Sequence, residues 1–71
     1  MKDRTAGVEE GIIQEALPGL TFRVSIKNRE SEVLAHLAGK MKLNRIRVLP
    51  GDRVLVEIAE DGRRGRIVRR L

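Results

Sequence analysis

The chain has 71 residues, a formal net charge of +5 and no cysteine. That length supports one domain with a small core, and the missing cysteines exclude a disulfide framework or a Cys-ligated metal as a staple. No apolar run approaches the ~20 residues of a membrane-spanning helix, so the fold must gain stability by leaving few open edges, as a closed β-barrel does.

The charge is unevenly distributed. Residues 1–35 hold five basic and six acidic side chains, a net −1, whereas residues 36–71 hold ten basic and four acidic, a net +6. The imbalance points to an anionic partner for the C-terminal half; the plainer alternative is a soluble protein that is merely basic. The absence of cysteine fits a reducing, cytoplasmic setting. Residues 1–7, Met1-Lys2-Asp3-Arg4-Thr5-Ala6-Gly7, carry charges with no apolar stretch behind them. They do not form a secretory signal and are expected to be a flexible arm preceding a single domain over residues 8–71.

A first strand is expected over Val8 to Leu17. Gly11 and Ile13 share a face, but Ile12 interrupts the alternation and suggests a bulge near Gly11. Leu17-Pro18-Gly19-Leu20 has the composition of a type II turn, with proline fixing one φ and glycine tolerating a positive one. Leu20 to Lys27 then alternates strictly: Leu20, Phe22, Val24 and Ile26 face inward, while Thr21, Arg23, Ser25 and Lys27 face outward. After a polar turn over Lys27 to Ser31, Glu32 to Leu37 forms a third strand with Val33, Ala35 and Leu37 inward and His36 outward.

Ala38 to Asn44 lacks β-branched residues and contains good helix formers, which predicts one or two helical turns between Gly39 and Asn44. Arg45 to Leu49 reads as extended chain, with Arg45 and Arg47 outward and Ile46 and Val48 inward. Pro50-Gly51 makes a second turn. Val54, Val56 and Ile58 mark a fourth strand, Asp61-Gly62 a hairpin turn, and Gly65 to Arg70 a fifth strand with Ile67 in the core. Three strands, a short helix and two strands is the order of the all-β, five-stranded oligonucleotide/oligosaccharide-binding (OB-fold) Greek-key barrel. An SH3-like barrel is the nearest rival, but it usually lacks an ordered helix between its third and fourth strands.

Enzymatic chemistry lacks parts. His36 is the sole histidine and there is no cysteine, so neither a metal cluster nor a histidine-based nucleophile assembles, and no cofactor is expected. The glutamates fall at strand ends and loops. Gly62-Arg63-Arg64-Gly65 lacks the Gly-Lys-Ser/Thr ending of a phosphate-binding loop. The basic side chains are more informative. Lys40, Lys42, Arg45 and Arg47 fall within a few residues of one another, followed by Arg64, Arg66, Arg69 and Arg70. Guanidinium groups pair with phosphate oxygens in planar geometry and lysine adds point charge. Phe22 is the only aromatic residue and its phase assigns it to the core, so base stacking on exposed rings, the usual device of barrels that hold single strands, is missing. A structured RNA, held through phosphates and shape, is the expected partner.

The central segment Gly39-Lys40-Met41-Lys42-Leu43-Asn44-Arg45-Ile46-Arg47-Val48-Leu49 resembles the Gly-Lys-Met-Arg-Lys-Asn-Tyr-Ile-Arg-Ile-Leu signature of bacterial translation initiation factor one. Leu17-Pro18, Phe22-Arg23-Val24, Ala35-His36-Leu37, Gly51-Asp52-Arg53-Val54 and Gly65-Arg66-Ile67-Val68 extend the resemblance from about Gly11 to Arg70. It implies an S1-like barrel that binds the decoding region of the small ribosomal subunit at the aminoacyl-tRNA site, touching its rRNA beside a ribosomal protein. Such a factor blocks premature tRNA entry and assists the other initiation factors. It would be a monomer when free, with no membrane association.

The RNA-binding candidates are Pro18 and Gly19 in the first hairpin loop, Arg23, His36, Lys40, Lys42, Arg45, Arg47, Arg64, Arg66 and Arg69. Three features depart from the family pattern: Arg45 replaces a commoner tyrosine, Leu43 replaces a lysine, and the loop Lys27 to Ser31 is longer and lacks the usual Asn-Gly turn. A cold-shock-like RNA chaperone or antiterminator, and a protein–protein adaptor whose basic face docks an acidic partner, are the alternative functions.

Overall fold

The computed structural model describes residues 5–71. Strands β1 (Thr5–Leu17), β2 (Thr21–Ile26) and β3 (Glu32–Leu37) are followed by helix α1 (Gly39–Leu43), then β4 (Arg53–Ala59) and β5 (Arg64–Arg70). The strands close into a barrel in the order β1-β2-β3-β5-β4. All pairings are antiparallel except β3 with β5, which run parallel. A parallel pair needs a crossover connection; here α1, the following loop and β4 supply it. The architecture is the expected OB-fold barrel.

Closure works because β1 is long enough to serve two partners. Its first half pairs with β4, from Thr5 opposite Ala59 to Ile12 opposite Arg53. Its second half pairs with β2, from Gly11 opposite Ile26 to Leu17 opposite Thr21. The strand therefore starts at Thr5, before the expected Val8, because β4 offers a ladder that Thr5-Ala6-Gly7, with no apolar alternation of its own, does not announce. Of the expected arm, residues 1–4 lie outside the described residues.

The core is apolar throughout: Ile13, Phe22, Val24, Ile26, Val33, Ala35, Leu37, Met41, Val48, Val54, Val56, Ile58 and Ile67 are buried, and among the described residues no polar or charged residue is buried with them. β2, β3 and β4 alternate as expected. Two positions depart from the expected phase. Leu20 is 52% exposed because β2 begins one residue later; Leu20 itself is a turn residue with φ +57°. The register of β1 shifts between Ile13 and Glu15 against β2 and between Thr5 and Gly7 against β4, and Gly11 serves close packing instead. A methyl group there would lie 2.7 Å from Val24 Cγ1 and 2.9 Å from the Ser25 carbonyl oxygen. Gly65 on β5 has the same constraint, with Val56 Cγ1 at 2.7 Å and the Glu57 carbonyl oxygen at 2.9 Å. Each glycine thus lets a neighbouring strand approach more closely than a side chain would allow.

Candidate nucleic-acid interface

Helix α1 is oriented by one side chain. Met41 is its only buried residue, so its neighbours Lys40 and Lys42 project on either side of the anchor. Asn44 closes the helix, and the chain reverses through two hydrogen bonds: the Ile46 amide donates to the Met41 carbonyl at 3.0 Å and the Arg45 amide to the Lys42 carbonyl at 3.2 Å. That pattern is a Schellman motif, which demands a left-handed residue directly after the cap. Glycine usually occupies it; here Arg45 does, at φ +54°.

The segment 45–49 is consequently not the extended chain expected. Ile46, expected to face inward, is 36% exposed, while Val48 is buried. The left-handed step at Arg45 rotates the chain and destroys the simple alternation. The loop is tied down at three points. Val48 enters the core, and the Leu49 amide donates to Asp52 Oδ2 at 2.9 Å. Arg70, from the end of β5, donates through Nη1 to the Arg47 carbonyl at 2.9 Å.

These elements frame an open groove of about 280 Å³ lined by Leu20, Phe22, Leu37, Met41, Ile46 and Val48, with Lys42, Arg45 and Arg47 among its lining side chains. It lies just below the ~300–1,000 Å³ range of small-molecule pockets and is open, so it suits one planar group rather than an enclosed metabolite. Leu20 places the β1–β2 turn, which carries Pro18 and Gly19, at this groove. On the neighbouring wall, His36 of β3 sits between Thr21 of β2 and Arg66 of β5. His36, Arg64 and Arg66 line one shallow hollow, and Lys40 and Arg66 line a second beside it.

The acidic side chains sharpen this distribution. Arg23 is held between Glu15 at 3.0 Å and Glu32 at 3.3 Å. Arg29 pairs with Glu9 at 2.7 Å, Arg53 with Glu10 at 3.7 Å, and Arg66 with Glu57. Each of these pairs joins residues from different strands or an adjoining loop, so the flanks of the barrel are largely neutralised. Among the described residues, Lys40, Lys42, Arg45 and Arg47 have no carboxylate partner. Lys27, Arg63, Arg64, Arg69 and Arg70 likewise lack one, so α1 and the loop behind it hold a run of four unpaired cations while the others lie on the β2–β3 loop, the β4–β5 hairpin and β5. At the β4–β5 hairpin, Asp61 accepts from the Arg63 amide at 2.8 Å and the Arg64 amide at 3.3 Å. The Arg63 hydrogen bond, seconded by that of Arg64 and the charge of both arginines, holds its carboxyl below the usual value.

Of the candidates, Lys42, Arg45 and Arg47 meet at the groove, with Pro18 and Gly19 in the adjoining turn; His36, Lys40, Arg64 and Arg66 share the neighbouring hollows. Arg23 belongs to the ion-paired flank. Arg69, opposite Leu55 of β4, lines none of these depressions. Leu20 and Ile46 belong to the groove although their sequence phase suggests the core. The signal for Leu20 lies in its position, directly after a Pro-Gly turn. No group of three or more His, Cys, Asp or Glu residues that could hold a metal occurs among the described residues.

A closed five-stranded barrel with one short helix between β3 and β4, carrying a localised basic face, defines an OB-fold protein. The sequence profile of the translation initiation factor 1A / IF-1 family matches residues 1–71, and the chain belongs to that family. The solution structure of translation initiation factor one from the Wolbachia endosymbiont strain TRS of Brugia malayi is similar, with 37% identity and a TM-score of 0.72, over 99% of this chain and 85% of that one. The crystal structure of YjeQ from Thermotoga maritima is also similar, with 26% identity and a TM-score of 0.75, over 90% of this chain and 22% of that one. The chain is thus a translation initiation factor that works on the ribosome. No helix among the described residues is long and apolar enough to cross a membrane.

Proposed function

We propose that the chain binds the small ribosomal subunit at the decoding region, occupying the aminoacyl-tRNA site through rRNA contacts beside a ribosomal protein. It acts there by occupancy, blocking premature tRNA entry and assisting the other initiation factors in the cytoplasm. The observation that carries this reading is the meeting of charge and groove: Lys42, Arg45 and Arg47, without a carboxylate partner among the described residues, line an apolar groove, and Lys40, equally unpaired, stands on the same helix beside it.

Phosphates of folded RNA suit the unpaired cations, and the groove between Leu20 and Ile46 suits one unstacked base. Burial of Phe22 leaves no ring for sequence-tolerant stacking, which favours folded RNA over loose single strands. His36 and Arg64 extend the surface along β3 and β5, and Arg66 follows them with its charge already met by Glu57. Arg23 is expected to contribute less, because its charge is already met by two glutamates. The protein acts as a monomer when free and needs neither metal nor cofactor for a role based on occupancy. Co-sedimentation with isolated small subunits tests the assignment. Retention that falls on substitution of Lys42→Gln and Arg47→Gln supports it; retention that is unaffected by the pair rejects it.

A further inference from the structure

We infer that Arg70 is a positioning residue: it shapes the interface by holding the Arg47 carbonyl and does not itself contact phosphate. The inference rests on the proposed rRNA-binding role of the loop 45–48. Three observations support it. Arg70 lies opposite Val54 in the β4–β5 ladder, and Val54 is fully buried. Its side chain therefore leaves the barrel on the inward phase, at the end, rather than from the outer face that carries Arg64 and Arg66. The guanidinium meets the Arg47 carbonyl at 2.9 Å, a charge-assisted hydrogen bond to a neutral acceptor. Finally, this is the only side-chain hydrogen bond that ties residues 45–48 to a strand among the described residues.

The consequence follows from the loop's construction. Arg45 is held left-handed by the turn behind α1 and Val48 is anchored in the core, so the intervening peptides bridge two fixed points. Arg70 fixes the Arg47 carbonyl, and with it the peptide plane from which the Arg47 side chain departs. The last strand is itself secured there, since the Leu71 amide donates to the Arg53 carbonyl at 2.8 Å. β5 thus sets the direction of a cation that the sequence places on a different element.

The test is Arg70→Gln, with Arg47→Gln as the comparison. In the free protein, NMR order parameters of residues 45–48 should fall from the rigid range near ~0.85 toward ~0.6, while those of β2 and β4 stay unchanged. Binding to small subunits should weaken about tenfold with an unaltered dependence of log K on log salt. Arg47→Gln should instead make that slope shallower by about 0.7–0.9, the effect of losing one phosphate contact. A slope reduced to the same extent by Arg70→Gln, or order parameters left at the wild-type value, overturns the inference. Wild-type protein that fails to bind the subunit would refute the rRNA assignment, and the order parameters would still decide whether Arg70 holds the loop.

Discussion

The Ile46 amide closes onto the Met41 carbonyl at 3.0 Å, and the residue that makes the reversal possible, Arg45, is held at φ +54°. A non-glycine residue in this region costs roughly 1–2 kcal/mol. The strained residue lies at the groove, where such strain is characteristic of binding sites. Arg45→Gly should therefore raise stability by about 1 kcal/mol, or roughly 4–8 °C in Tm for a domain of this size. The same substitution should weaken RNA binding through the lost cation. Thermal melts and binding assays on one variant test both effects; a lower Tm would contradict the account of the turn.

Core and interface substitutions should separate cleanly. Ile67 is fully buried in the barrel, and Ile67→Ala should cost about 2–5 kcal/mol, a large fraction of the stability of a small domain. Arg47→Gln removes an exposed cation with no carboxylate partner, so its effect on Tm should be negligible while subunit binding falls. Chemical denaturation of the two variants distinguishes these outcomes.

How far this division is legible in the sequence depends on what each signal is made of. β2, β3 and β4 declare themselves because each presents one face to one core, so the two-residue period survives intact. The start of β1 does not: Thr5 to Gly7 is ordered into a strand by pairing with β4, not by apolar residues of its own. Ile46 escapes the pattern for a similar reason. An extended chain would turn it inward, but the left-handed step at Arg45 resets the phase, and an arginine gives no hint of the glycine-like conformation it adopts. The basic cluster is visible as composition. Which cations are balanced is not, because the pairing of Arg23 with Glu15 and Glu32, or of Arg66 with Glu57, depends on strand register. The Arg70 clamp is equally hidden, since its acceptor is a backbone carbonyl on a distant loop.

Gly65 should resist substitution more than a surface glycine would. An added methyl group meets the Glu57 carbonyl oxygen at 2.9 Å and Val33 Cγ1 at 3.3 Å as well as Val56. The backbone oxygen cannot rotate away. Gly65→Ala is expected to destabilise by about 1–3 kcal/mol, and an unchanged denaturation midpoint would show that β5 can move outward without loss.

Asp61 should titrate below the ordinary aspartate value of about 3.9, because the Arg63 and Arg64 amides favour its ionised form. A folded-state pKa that is lowered stabilises the native protein above the unfolded-state value, and that contribution disappears as pH falls through the folded-state value. NMR titration of the carboxyl group checks the direction. An Asp61 midpoint at or above the ordinary value would mean that the two amide bonds do not persist in solution.

Chemical footprinting of small-subunit rRNA, with and without the protein, decides where on the subunit the chain sits. Protection should concentrate in the decoding region and diminish together on Lys42→Gln and Arg47→Gln. Protection confined to another part of the subunit, or left intact by those substitutions, would contradict the proposed binding.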